Sequence, residues 1–275
     1  MLSIHMEYKI LFLGTGGGRY VVGDQTRGSG GIILKLEDTQ FHLDPGPGSL
    51  VIANKMGIDV RKNDVVLVSH SHLDHCNDVN AIIDAMTFTG LDKQGIVIGS
   101  KSVIYGSEKD PPYLTRFYRR CVNKCVALSP GKEIDVNGIR IKATKTKHTD
   151  ETGIGFKFFT NKFVLSYVGD TNYINELVTE HKGSDILLIN NQRGFASTRS
   201  GPFSSRDSVK LISEVKPHLA ILTHFGKNIL EADPMYEARD VQKLTGVQTV
   251  AAKDGMVIDL LTYSSSIRQK TLQNY

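Results

Sequence analysis

Residues 70–75 read HSHLDH, which puts three imidazoles and one carboxylate within six positions. Imidazole nitrogen and carboxylate oxygen are ligands that zinc accepts in tetrahedral or five-coordinate sites. His70 and His72 are two apart, so in extended backbone they project to the same side, where one ion can take both. Asp74 and His75 are adjacent, and a tight turn can direct them to a second ion beside the first. A lone histidine is more often a hydrogen-bonded core or surface residue. That reading does not account for four ligand-capable groups crowded together in a chain with nine histidines.

Two ions need more ligands than this motif supplies. His148 follows the β-like run IKATKTK, Asp170 follows FVLSYV in the phrase Gly169-Asp170-Thr171, and His224 follows LAIL in Thr223-His224-Phe225. Each comes just after an apolar β run, where layered α/β folds collect their site residues.

The elements that must position these groups are legible from patterning. Strands are expected at 8–13, 31–36, 40–43, 95–98, 139–144, 155–159, 163–168, 185–189 and 219–222, punctuated by glycine-rich turns at 14–18 and 44–48. The continuous apolar run 64–69 reads as a strand covered on both faces and leads straight into the histidine cluster. Helices are expected at 49–56 with Ser49 as the cap, at 78–88, and at 205–215 after a serine pair. Strand-rich runs in both halves, each interleaved with helices, predict two packed sheets with helices outside, an α/β class protein. The whole chain, 1–275, reads as one domain.

Bulk composition agrees with an ordinary globular enzyme. The 40% apolar and 23% charged fractions argue against disorder, and a net charge of +4 permits an anionic substrate without requiring one. Three cysteines, Cys76, Cys121 and Cys125, cannot form a disulfide framework; a reducing, cytoplasmic setting is expected. No run approaches the length of a membrane span. Cys121 and Cys125 are one helical turn apart and read as core packing. Four histidines, His5, His42, His181 and His218, lack clustered partners and are expected to be structural or on the surface.

Taken together, HxHxDH at 70–75, then His148, Asp170 in G-D-T and His224 in T-H-F resemble the metallo-β-lactamase superfamily from the opening strand to His224. The resemblance implies a four-layer αβ/βα sandwich with its site in the cleft between the sheets. It also implies that His70, His72 and His148 hold a first ion, that Asp74, His75 and His224 hold a second, and that Asp170 bridges them. Two divalent ions are implied, zinc first, with manganese or iron as alternatives. Such a pair, about 3.5–4 Å apart, can share a water and acidify it into a bridging hydroxide near neutral pH. Asp74, as catalytic residue, would ligate one ion, orient the nucleophile and move a proton. No Gly-x-Ser-x-Gly elbow competes with this chemistry.

Within the superfamily, FLGTGGG, LDPGPG and the GDT phrase look most like the tRNA 3′-end endonuclease (tRNase Z) and its small phosphodiesterase relatives. Two departures argue against tRNA as substrate. Only 22 positions separate His148 from Asp170, room for a hairpin and not for a tRNA-gripping arm. Phe203 stands where that family carries an auxiliary histidine, and phenylalanine cannot donate a proton. Arg193, Arg199, Ser204 and Arg206 are electrostatic substitutes on paper, although loop solvation explains any one of them. The expected substrate is a small or nucleotide-like phosphodiester. A thioester, lactone or amide hydrolase at the same metals is the runner-up, and a weakly catalytic RNA- or protein-binding member the third reading. Dimers are common in the family, so a homodimer stays open. The basic, aromatic stretch 113–124 reads first as an ordinary helix face and second as a phosphate or base clamp. The glycines at 14–18 read as a turn beside the metals.

Overall fold

The structure, a computed structural model, describes residues 6–108, 110–198 and 201–263; His5 and Arg199 lie outside them. Two seven-stranded mixed sheets follow one another along the chain. The first is built from β1 (Glu7–Phe12), β2 (Ile32–Glu37), β3 (Thr39–Leu43), β4 (Asn63–Val68), β5 (Ile96–Gly99) and β6 (Lys124–Ala127). The second takes β7 (Glu133–Val136), β8 (Ile139–Lys145), β9 (Ile154–Phe159), β10 (Val164–Tyr167), β11 (Ile186–Asn190), β12 (Leu219–Thr223) and β13 (Gln248–Ala251). The last strand, β14 (Val257–Asp259), returns to the first sheet and pairs antiparallel with β1.

Period-two alternation in the strands sorts their side chains into three cores. Tyr8, Ile10 and Phe12 of β1 face the space between the sheets, where Ile186 and Leu188 of β11 and Leu219 and Ile221 of β12 meet them. The alternate residues face outward. Val66 and Val68 pack against Val79, Ile82, Ile83 and Met86 of helix Val79–Thr87. Leu187, Ile189, Ala220 and Leu222 pack against Leu211, Ile212 and Val215 of helix Ser205–Val215 and Val241 of helix Pro234–Thr245. Burial on both faces is why these strands read as unbroken apolar runs. The result is the expected αβ/βα sandwich.

Several details differ from expectation. Ser49 is not the cap of helix Ser49–Lys55; Gly48, at φ 82°, takes that place, and the Ser49 hydroxyl instead meets His42 Nε2 at 2.8 Å inside the fold. Cys121 and Cys125 do not share a helix, because helix Arg116–Cys121 ends at the first and the second lies on β6; both still pack into the outer core of the first sheet. Strands β6, β7, β13 and β14 are only three or four residues long, too short to show a period. Between His148 and Asp170 the chain forms the β9–β10 hairpin and nothing longer.

Candidate metal centre

Strand β4 stops at Val68, and residues 69–72 turn back into the short helix Leu73–Cys76, with His72 at its N-cap in extended backbone. Strand ends of the second sheet supply the rest: His148 after β8, Asp170 after β10 and His224 after β12. All seven side chains named from the sequence come together. The ligand atoms of His70, His72 and His148 lie within 4.8 Å of one another, as do those of Asp74, His75 and His224, and those of His70, His75 and Asp170.

The facing atoms are imidazole nitrogens held at short spacing. His72 Nδ1 is 3.0 Å from His70 Nε2 and 3.0 Å from His148 Nε2, and His75 Nε2 is 3.3 Å from His224 Nε2. Ligands about 2.0–2.1 Å from a tetrahedral zinc sit about 3.3–3.4 Å apart; the His75–His224 spacing matches that, and the other two are a few tenths of an ångström shorter. A single oxygen, Asp170 Oδ2, lies 3.0 Å from His224 Nε2, 3.6 Å from His75 Nε2 and 3.7 Å from His148 Nε2, and so touches both groups. The donor set therefore fits two cations.

The acids and imidazoles of the site shift one another's ionisation. Burial drives the pKa of His70 well below its ordinary value, and the neighbouring His75 adds to the effect. Burial also lowers His148, outweighing the attraction of Asp170. His75 goes the other way: burial opposes its charge, but Asp170, Asp74 and Asp44 together hold its pKa well above the usual value. Asp170 is buried yet pulled well below the usual carboxylate range by His224 and His75.

Supporting groups hold the rings. Asp44, at the end of β3, accepts from His75 Nδ1 at 2.9 Å, from the Ser69 amide at 2.6 Å and from the Ser69 hydroxyl at 2.7 Å. Ser69 Oγ is in turn 3.0 Å from His70 Nδ1, and Thr149 Oγ1 is 3.0 Å from His72 Nε2. Asp150 fastens the turn by accepting from the amide and hydroxyl of Ser71 and from Ser102 Oγ. Burial works against its ionisation, but the hydrogen bonds from Ser102, Ser71 and Thr152 lower its pKa. None of Asp44, Ser69, Thr149 and Asp150 was singled out by type and spacing, although Asp44 opens the conspicuous PGPG turn.

The glycine-rich turn serves the site by contact. The Gly18 amide donates to Asp74 Oδ2 at 3.1 Å, the Gly17 amide to the Phe225 carbonyl and the Gly16 amide to the Gly28 carbonyl. These amides are committed within the protein, as suits a turn beside the metals. A Cβ on Gly17 would stand 1.8 Å from His224 Nδ1, and His224 itself has φ 59°, so ring and turn are fitted to each other.

The remaining residues take structural places. Phe203 is buried in the outer core of the second sheet, 6.2 Å from the Tyr173 ring. The Arg193 guanidinium donates to the carbonyls of Pro202 and Gly201, Ser204 forms a capping box with Asp207, and Arg206 is exposed. His42 and His181 are fully buried, and burial lowers both to about 3. His218 Nδ1 lies 3.0 Å from the Tyr263 carbonyl oxygen. Cys76 is buried against the Ser71 and His72 carbonyls, and burial pushes its thiol pKa far up. In the 113–124 stretch, Arg119 donates to the Ile104 carbonyl and stands 5.9 Å from the Tyr105 ring centre. Among the described residues no helix is long and apolar enough to cross a membrane.

Comparison with known proteins agrees with this geometry. Residues 39–225 match the family model for the beta-lactamase superfamily domain. An uncharacterized protein of Methanocaldococcus jannaschii is 32% identical over 258 residues, 93% of this chain and 96% of that one. A protein named ribonuclease Z from Methanopyrus kandleri is 25% identical over 201 residues, 72% of this chain and 65% of that one. Among solved structures, the metallo-beta-lactamase fold protein YhfI of Bacillus subtilis superposes with a TM-score of 0.75 at 19% identity, covering 91% of this chain and 98% of that one.

Proposed function

The chain belongs to the metallo-β-lactamase superfamily of metal-dependent hydrolases, and from that premise we propose that it is a dinuclear hydrolase acting on a small phosphodiester. The observation that carries the proposal is Asp170 Oδ2, one carboxylate oxygen within 3.7 Å of nitrogens from both ligand groups. In this reading His70, His72 and His148 hold one ion, Asp74, His75 and His224 hold the other, and Asp170 serves both. Five imidazoles and two carboxylates favour zinc, with manganese or iron as substitutes.

Two divalent ions held this close supply an acidified water and stabilise charge on the substrate oxygens. The chain's own residues do the rest. Asp74 keeps one oxygen against the Gly18 amide and within 3.7 Å of His224 Nε2, so its carboxylate stays oriented at the cleft, where it can accept the proton of an attacking water. Asp44 and Ser69 keep His75 and His70 aimed inward. The short β9–β10 hairpin leaves the cleft without an arm for a large nucleic acid, which favours a small or nucleotide-like ester over tRNA. The likeness to a protein named ribonuclease Z supports phosphorus over carbon as the centre attacked.

Hydrolysis of bis(p-nitrophenyl) phosphate tests this directly. Chelator-treated protein is expected to be inert, and zinc or manganese to restore turnover. A panel of thioesters, lactones and amides assayed beside it identifies the alternative. Turnover on that panel with none on any phosphodiester overturns the phosphodiester reading and leaves the metal centre standing.

A further inference from the structure

A continuous chain of buried hydrogen bonds joins ligands from the two sheets behind the facing imidazole nitrogens. Asp170 turns its Oδ2 toward the histidines and its Oδ1 away, where it accepts from Asn190 Nδ2 at 2.7 Å. The same Asn190 nitrogen lies 2.9 Å from the Tyr167 hydroxyl, and that hydroxyl donates to Asp44 Oδ2 at 2.6 Å. Asp44 Oδ2 is the oxygen that also faces His75 Nδ1. The path therefore runs His75, Asp44, Tyr167, Asn190, Asp170. It begins on the first sheet, crosses to β10 and β11 of the second, and ends on the bridging carboxylate.

The donor count along this path allows one arrangement. A carboxylate only accepts, so Tyr167 must give its single proton to Asp44 and receive from Asn190. The amide nitrogen of Asn190 has two protons and uses one for Tyr167 and one for Asp170. Turning that amide over would put its oxygen against a carboxylate and a hydroxyl already committed to donating elsewhere. Tyr167 and Asn190 are 1% and 3% exposed, so water cannot substitute for either bond. Both residues line a small cavity beside His75 and His224, and neither is needed to complete a hydrophobic core by its polar atom.

We propose that Tyr167 and Asn190 are positioning residues that fix the plane of the Asp170 carboxylate against Asp44 across the two sheets, so that only Oδ2 faces both cations. This rests on the dinuclear reading above. Fixing Oδ2 between the two groups sets the separation of the ions, and tying it to Asp44 makes the first sheet and the second move together at the site.

The test uses cobalt(II), whose visible absorption reports ligand geometry, added to the full chain stripped of metal. Wild-type protein is expected to take up two equivalents. Tyr167→Phe removes a single oxygen, and Asn190→Leu replaces the amide by an apolar group of similar size. Both are expected to weaken cobalt binding, by about 10-fold for Tyr167→Phe and up to about 100-fold for Asn190→Leu, with altered visible bands. A purely structural role would lower the melting temperature of the metal-free protein while leaving bands and affinity unchanged in the folded fraction, and that result overturns the proposal. If Asn190→Leu does not fold, Tyr167→Phe alone decides. Wild-type uptake of one equivalent or none overturns the dinuclear reading itself, and with it this inference; two equivalents with unaltered variants overturns only the inference.

Discussion

The two ligand groups share one cleft but are built on different physical principles. His70, His72 and His148 form an all-nitrogen pocket near the rim, with His148 and His72 half-buried and hydroxyls of Ser69 and Thr149 as supports. His75 and His224 are buried and surrounded by Asp74, Asp170 and, for His75, Asp44. In the first pocket burial lowers the pKa of His70 and His148, whereas in the second acid neighbours raise that of His75. Acid neighbours set the second apart from the first. Equal ligand number does not make equal sites.

Removing what the groups share should be the most damaging change. Asp170→Ala is expected to cut phosphodiester turnover by well over about 100-fold, beyond the range of a supporting residue, with cobalt titration showing loss of the second equivalent. Asp44→Asn separates the groups next. It weakens the acceptor for His75 Nδ1 and should lower metal affinity by about 10- to 100-fold in the acidic pocket, with a smaller effect on the histidine pocket. Dialysis against graded chelator followed by metal analysis reads the difference.

The protonation contrast predicts unequal pH dependence. The raised pKa of His75 means that a proton must leave before an ion binds, so affinity of that pocket should fall as pH falls, about tenfold per unit below the His75 pKa. His70 and His148, with lowered pKa values, are already neutral near pH 7 and should release almost no proton. Calorimetry in buffers of different ionisation enthalpy counts the protons; equal release from both pockets would remove the distinction. Thr149→Ala tests the rim alone, with an expected loss of about tenfold in affinity through a less constrained His72 ring.

His181 provides the smallest effect and a contrast to all of these. It is fully buried with no hydrogen-bond partner on either ring nitrogen among the described residues, and burial lowers its pKa to about 3. The unfolded chain takes up that proton near pH 6.5, so its contribution to stability is present above that value and is lost as pH falls toward 3. His181→Leu should leave stability at pH 7 unchanged or raise it by about 1 kcal/mol, and flatten the loss between pH 6.5 and 3 in thermal melts.

What could be read from residue order follows the same division. His70, His72, Asp74 and His75 are close in sequence and of rare type, and His148, Asp170 and His224 each follow an apolar strand, so all seven were legible. Apolar alternation likewise exposed most of the strands. The supports were hidden because a tyrosine or asparagine ending an apolar run looks like ordinary strand composition. Tyr167 and Asp44 are 123 positions apart, and only folding reveals that they meet. Asn190 also ends an apolar strand, but its amide is not a ligand type that would mark it out. Phe203 shows the opposite case, a residue weighed for an absent role whose side chain simply fills the outer core.

The fit of Gly17 to the His224 ring also bears on how the protein is made. The two residues come from opposite ends of the chain, and the acidic pocket is closed only when β12 has been laid beside β11. A growing polypeptide that has emerged through His148 already holds every side chain of the histidine pocket. The second ligand group is complete only after His224 has left the ribosome and settled over the turn synthesised before it.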